Sequence, residues 1–214
     1  MDVIAYFLDF FIHLDQHLSM LIRNFGGWSY LILFLIFFCE TGLVVTPILP
    51  GDSLLFALGT FAAIGALDIQ MLAILLPLAA ITGDSVNYTI GRFVGPRVFK
   101  SQNSRFLKKE YLTRTHKFYE RHGGKTIILA QYMPIIRTYA PFVAGIGSMN
   151  YRWFITFNVI GCVSWVTIFL FGGYYFGNIP AVKSNFTWVI IAIVLISVTP
   201  GIIEYFRHKS AVGS

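Results

Sequence analysis

Three ionisable side chains interrupt the most apolar parts of the sequence. Glu40 and Asp52 lie at the two ends of ETGLVVTPILPGD, and Arg137 lies inside TIILAQYMPIIRTYAPFVAGIGSM. A charge near the centre of a bilayer costs roughly 2.5 to 3.5 kcal/mol even on lenient insertion scales, so such residues need a function or a partner. Two buried carboxylates close together favour a shared proton, and the planar guanidinium of arginine suits a phosphate group. The alternative is that Arg137 forms a structural ion pair with one of the carboxylates.

Helix-breaking residues accompany these charges. They are Pro47, Pro50 and Gly51 in the first stretch and Pro134 and Pro141 in the second. Each proline removes a helix hydrogen bond, and non-helical backbone at membrane depth is tolerated only where it is buried in protein or lines a water-filled cavity. We therefore expect two re-entrant helical hairpins, at 27–67 and 126–149, with the arginine of the second hairpin at its tip.

The composition is that of a membrane protein. The 214-residue chain is 56% hydrophobic and only 12% charged, whereas soluble domains carry about 25% charged residues. We expect an all-α polytopic fold with a single membrane domain at 1–209, and residues 210–214 as a tail or an expression remnant. The domain would contain an N-terminal helix at 1–26, the two hairpins, transmembrane helices at 69–91, 153–176 and 186–206, and amphipathic interfacial helices. Whether the N-terminal helix spans the membrane or lies at its surface is left open.

Basic residues set the predicted topology. Ten of the sixteen lysines and arginines fall between Arg92 and Lys125, and cytoplasmic loops carry such an excess. We expect the segment 92–125 to be cytoplasmic, with an amphipathic helix at 107–122 lying on the anionic leaflet and not on nucleic acid. The basic C-terminus is placed on the same side, which requires 126–149 to enter and leave from the cytoplasm. The two hairpins would then have opposite orientations, an inverted repeat of the kind found in secondary transporters.

Several polar residues near the hairpins are candidate supports of the site. Asp84, Asn87, Tyr88 and Arg92 lie in GDSVNYTIGR, where they would form a polar strip facing the cavity or serve packing and the helix boundary. Gln131 and Thr138 lie in the second hairpin itself.

Metal and thiol chemistry are not expected. His13 and His17 have a spacing that would let a helix hold a metal, but a polar helix face is the favoured interpretation, and we expect no metal and no cofactor. Cys39 and Cys162 lie in apolar tracts, where each is expected to act as a small hydrophobic side chain and not to form a disulfide.

The motifs taken together resemble the DedA family of bacterial membrane proteins. They are Glu40 followed by P-x-x-P-G-D, then GDSVNYTIGR, then P-x-x-R-T-x-x-P-x-x-A-G from Pro134 to Gly145. The resemblance covers nearly the whole chain. It implies two opposed re-entrant hairpins and a role in moving membrane lipids, for which recycling of undecaprenyl phosphate is a leading proposal. We expect the protein in the bacterial cytoplasmic membrane, and the charge distribution places its C-terminus in the cytoplasm.

The resemblance also implies roles for particular residues. It assigns the acidic pair to Glu40 and Asp52 and the hairpin arginine to Arg137. The family usually has a second arginine just before the hairpin proline, where this chain has Gln131. Arg137 would therefore bind phosphate with the help of neutral donors.

The predicted function is that of a membrane lipid translocase, of the flippase or scramblase kind, for undecaprenyl phosphate or another phosphate-bearing lipid, with a proton-coupled step. No nucleophile with its base is evident, so we expect no catalytic residues and no enzyme. One alternative is a proton- or cation-coupled exporter of small solutes that uses the same carboxylates. The other is a structural membrane scaffold. The expected partners are the lipid headgroup and the anionic leaflet, and the oligomeric state is left open.

Overall fold

The computed structural model describes residues 14–43, 51–100, 124–177 and 179–180, with the isolated positions 189 and 192. These residues form helices and loops and contain no strand, which confirms the all-α prediction for this part of the chain. The helices are α1 (Leu14–Phe25), α2 (Trp28–Gly42), α3 (Gly51–Ala63), α4 (Ile69–Lys100), α5 (Lys125–Gln131), α6 (Pro134–Ile146) and α7 (Tyr151–Phe176). The predicted interfacial helix at 107–122, the break at Pro47 and Pro50, and nearly all of the predicted helix at 186–206 lie outside the described residues.

Among the described residues, two helices are long and apolar enough to cross a bilayer. They are Ile69–Gly95 within α4 and the whole of α7, with mean hydropathies of 1.6 and 2.0. Helices α2 and α3 are apolar but have only 15 and 13 residues. At about 1.5 Å per residue they extend roughly 22 and 20 Å, short of the about 30 Å of a hydrocarbon layer. Their lengths suit the limbs of a re-entrant hairpin, although entry and return on one side of the membrane stays a prediction.

Helix α4 is longer than the sequence predicted. The predicted transmembrane segment covers 69–91, and the observed helix continues through Pro96 to Lys100. Arg92 is where the sequence changes from apolar to basic residues. Such a change marks where a helix leaves the hydrocarbon, whereas its backbone hydrogen bonds can continue beyond that point.

The second predicted hairpin is a pair of helices, α5 and α6, that pack against each other. The chain breaks at Tyr132 and Met133, and Pro134 occupies the first turn of α6, where its missing N–H is not needed. The prediction that Pro141 breaks the helix is wrong, because α6 continues through it. Proline is tolerated inside membrane helices where surrounding groups satisfy the backbone. The limbs are therefore unequal, and Arg137 lies in the first turn of α6, four residues after Met133 at the break.

The structure comprises two compact units, and the candidate site lies within the second, residues 36–49 and 77–165. This unit contains the end of α2, most of α4, all of α5 and α6, and the first part of α7. Its apolar core consists of Tyr88, Ile127, Ala130, Ala140, Ala144, Met149 and Phe154. Helices α4 and α6 approach closely at Gly145, where an added Cβ would collide with the backbone at Tyr88 and Arg92.

The first unit contains residues 1–35, 50–76 and 166–214. In its described part, α3 and the end of α7 are in backbone contact at Gly59, where a Cβ would meet the carbonyl of Leu170. Thr60 donates across the same contact to the carbonyl of Gly173, at 3.4 Å. Close packing of small residues is a usual means of association between membrane helices.

Candidate functional site

Arg137 and Glu40 form an ion pair inside the second unit. Nη2 of Arg137 donates to Oε1 of Glu40, and the two side chains are 3% and 1% exposed. Arg137 reaches this position from the first turn of α6, and Glu40 from the last turn of α2. The α2 turn is held by Thr41, whose hydroxyl bonds to the carbonyl of Phe37 at 3.0 Å and to that of Ala80 on α4 at 3.3 Å. The predicted alternative of a structural ion pair is thus present as a contact.

An aromatic ring completes the surroundings of the guanidinium. Cζ of Arg137 lies 4.5 Å from the centroid of the Trp165 ring, within the range of a cation–π interaction. Trp165 is fully buried, and Phe37 lies 6.2 Å from it between ring centroids. Trp165 is not among the predicted site residues, because one more aromatic residue in an apolar helix carries no signal of its own.

Helix polarity adds to the positive potential at Arg137. The N-terminus of a helix carries a partial positive charge, and Arg137 lies in the first turn of the 13-residue α6. The arginine and the helix terminus therefore both favour an anion here. In this structure that anion is the Glu40 carboxylate.

A second buried cluster surrounds Gln131, the residue that stands where the family pattern has arginine. Its Nε2 donates to Oδ2 of Asp84 at 2.7 Å, and it lies 3.2 Å from Oδ1 of Asn158 and 3.3 Å from Sγ of Cys162. The thiol of Cys162 also lies 3.3 Å from the same Asp84 oxygen. All four side chains are buried. The cluster joins α4, α5 and α7 through neutral donors and a single carboxyl group.

The expectation that Cys162 is an ordinary apolar packing residue is wrong. The Cys162 side chain faces Asp84. Asn158 and Cys162 are one helical turn apart and therefore lie on the same face of α7. Their spacing is a signal in the sequence for this polar face. Cys39 is exposed, and both cysteines are free.

The four residues of the predicted polar strip on α4 have different roles. Asn87 Nδ2 links two helices by donating to the carbonyls of Thr41 and Thr138, at 3.0 and 2.8 Å. Tyr88 lies in the apolar core, where it stacks on Phe154 with 4.5 Å between ring centroids. Arg92 is exposed and donates to the Tyr88 hydroxyl at 3.2 Å. Asp84 and Asn87 thus belong to the site, whereas Tyr88 and Arg92 serve packing.

Asp52 is described within the first unit. It is 4% exposed and lies in the first turn of α3, where an acidic side chain is favoured by the helix dipole. The shared proton between Asp52 and Glu40 stays a prediction. His13 lies outside the described residues, and among those described no group of three or more His, Cys, Asp or Glu side chains is arranged for a metal.

Comparisons of the sequence with a family model and with curated proteins indicate the same family. A family model described as the VTT domain matches residues 49–175. The chain is 54% identical to protein DedA of Escherichia coli (strain K12) over 99% of this chain and 97% of the relative. It is 43% identical to a membrane protein of Mycobacterium tuberculosis (strain ATCC 25618 / H37Rv), over 81% and 77% of the two chains. It is 34% identical to the inner membrane protein YqjA of Escherichia coli (strain K12), over 72% and 70%.

No solved structure matches the chain. The sequence relatives nevertheless cover most of its length, and two of those compared carry names that state a membrane location. The matched domain includes Asp52, Asp84, Gln131 and Arg137. Together with the apolar helices described above, these matches show that the chain is a membrane protein of the DedA family, built on a VTT domain.

Proposed function

We propose that the protein is a translocase for a phosphate-bearing membrane lipid and that proton binding is coupled to lipid binding at Arg137. Undecaprenyl phosphate is the first candidate, because the family resemblance points to it. The observation that carries the proposal is the buried ion pair between Arg137 and Glu40.

Protonation of Glu40 would make the positive charge of Arg137 available to another anion. A guanidinium in an apolar environment requires an anion, and Glu40 provides one. When Glu40 takes up a proton, its negative charge is lost and Arg137 needs a replacement. A lipid phosphate meets this need, since the guanidinium fork binds phosphate through two parallel hydrogen bonds. Proton and phosphate would therefore bind together, and the buried charge would stay balanced.

The surroundings of Arg137 suit this exchange of anions. Trp165 lies under the guanidinium at 4.5 Å, so it can hold the cation while one anion leaves and another arrives. The N-terminus of α6 favours either anion. The side-chain amide of Asn87, which donates to the carbonyl of Thr138, adds a neutral polar group to the same region. Asp52 is proposed as a further proton acceptor, on the strength of its burial and of the family resemblance.

A transport assay in liposomes tests the proposal. The full chain is reconstituted, and the movement of labelled undecaprenyl phosphate, of a zwitterionic phospholipid and of a small cation is measured with and without a pH gradient. We expect movement of the phosphate lipid, at a rate that responds to the gradient. Arg137→Ala should abolish this movement. Thr89→Ala is the matched control, because Thr89 is exposed and its hydroxyl donates to the Ser85 carbonyl within its own helix.

The assay also separates the alternative functions. Movement of the cation without movement of lipid would support a solute exporter. Absence of all transport by a folded, membrane-inserted protein would support a scaffold. Either result contradicts the lipid proposal.

A further inference from the structure

Asp84 is a buried carboxyl group whose bonded partners are neutral. It is 1% exposed and lies inside the apolar span Ile69–Gly95. Within the described part of the chain, the side chains bonded to its carboxyl group are the Gln131 amide, at 2.7 Å, and the Cys162 thiol, at 3.3 Å. A carboxylate removed from water without a counter-charge is strongly disfavoured, and the usual response is uptake of a proton.

The charged and titratable groups around Asp84 leave one negative charge without compensation. Helix α5 presents Gln131, and α7 presents Asn158 and Cys162. Helix α6 presents Arg137, which is paired with Glu40 of α2. On α4 itself, the exposed Arg92 donates to the Tyr88 hydroxyl. Among the described buried residues of this unit, the acidic and basic side chains are Glu40, Asp84 and Arg137: two carboxyl groups and one cation.

We propose that Asp84 is a further proton-binding site, distinct from Glu40 and Asp52, and that it is protonated at neutral pH in the resting protein. One guanidinium and one proton then neutralise the two carboxyl groups. Gln131 creates this condition, since an arginine at the same position would supply a counter-charge to Asp84, whereas the amide supplies only a hydrogen bond.

A metal cation is a poorer occupant than a proton. Hard cations such as Na⁺, Mg²⁺ and Ca²⁺ require several oxygen ligands. At this cluster an amide N–H group points at the Asp84 oxygen, and a thiol replaces a further oxygen ligand. The hydrogen-bond donors therefore occupy the directions from which a metal ion would bind.

This inference extends the proposed function by naming a further proton site, and it rests on that function only for its effect on transport. If lipid movement is proton-coupled, loss of the Asp84 proton site should change the pH dependence of transport. The protonation state itself can be measured without any transport.

Infrared spectroscopy of the purified full chain in lipid tests the proposal. The carbonyl stretch of a protonated carboxyl group is recorded at neutral pH, with ¹³C-labelled aspartate used to separate aspartic from glutamic acids. We expect a band from the Asp84 carboxyl group in the wild type and the loss of that band in Asp84→Asn. Asp68→Asn is the matched control, since Asp68 is an exposed carboxylate that caps the same helix, and it should leave the band unchanged.

Gln131→Arg provides a second test that keeps Asp84 in place. The added guanidinium should ionise Asp84, so the band should disappear although the aspartate remains. Either of two results would overturn the proposal: an unchanged band in Asp84→Asn, or a wild-type band that persists in a folded Gln131→Arg protein. Because neither readout depends on lipid movement, a failure here is distinguishable from a failure of the proposed function.

Discussion

The guanidinium carbon of Arg137 lies 4.5 Å from the centre of the Trp165 ring while the same side chain is bonded to Glu40. The Arg137 cation therefore contacts one group that protonation can neutralise, the Glu40 carboxylate, and one that it cannot, the Trp165 ring. This difference allows the ionic partner of Arg137 to change while the arginine itself stays in place.

Replacement of Trp165 should reveal the contribution of the ring face. Trp165→Phe and Trp165→Leu both remove volume, but only the phenylalanine keeps an aromatic face over the cation. A desolvated cation–π contact contributes about 2 kcal/mol or more, so Trp165→Leu should unfold more readily than Trp165→Phe. Thermal unfolding in detergent measures this. Equal stability of the two variants would show that the ring acts only by filling space.

A double-mutant cycle measures the coupling between Arg137 and Glu40. Removal of one partner of a buried ion pair costs about 3 to 5 kcal/mol, because the remaining charge is uncompensated. Arg137→Gln and Glu40→Gln should each destabilise the protein, whereas the double variant should lose much less than the sum of the two. Denaturant unfolding of all four proteins gives the coupling energy. Additive losses would mean that the two charges do not interact in the membrane-extracted protein.

The neutral cluster should be held by the amide of Gln131. Gln131→Met keeps most of the side-chain volume but removes the donor to Asp84, and an unsatisfied buried acceptor costs about 1 to 3 kcal/mol. Cys162→Ser keeps a donor at that position and should cost less. Thermal unfolding of both variants provides the comparison. The cluster would contribute nothing if Gln131→Met were as stable as the wild type.

The proposed re-entrant path of α5 and α6 has a topological consequence. Lys125 and Tyr151 flank the two helices and should be accessible from the same, cytoplasmic, side of the membrane. Single cysteines at 125 and 151 can be labelled with a membrane-impermeant reagent, in a background that lacks the exposed Cys39 and the buried Cys162. Labelling from opposite sides would show that the segment crosses the membrane once.

The sequence was informative where a residue type is costly in its context. Charges in apolar tracts identified Glu40 and Arg137, and a departure from the family pattern identified Gln131, because these signals are local. The partner of each residue was not predictable, since it depends on which helices meet. Asn158 and Trp165 belong to the site only because α7 turns them towards Gln131 and Arg137.

Proline residues and changes in charge predicted the ends of helices less reliably than charges in apolar tracts predicted site residues. Pro134 begins α6, but α6 continues through Pro141, and the effect of a proline inside a helix depends on neighbouring helices that the sequence does not reveal. The rise in positive charge at Arg92 likewise gave no sign that α4 continues to Lys100. Composition locates the membrane boundary, whereas packing and hydrogen bonding decide where the helix ends.

The most direct test of the account is the pH dependence of lipid-phosphate binding in Glu40→Gln. The glutamine mimics the protonated glutamate, so it leaves Arg137 available at every pH. Binding of undecaprenyl phosphate to the purified protein is measured across a pH series, with undecaprenol, which lacks the phosphate, as the matched ligand control. We expect wild-type binding to strengthen by tenfold or more as the pH falls, binding to Glu40→Gln to be tight throughout, and binding to Arg137→Gln to be weak throughout. A Glu40→Gln protein that keeps the wild-type pH dependence, or an Arg137→Gln protein that binds like the wild type, would contradict the exchange of Glu40 for lipid phosphate.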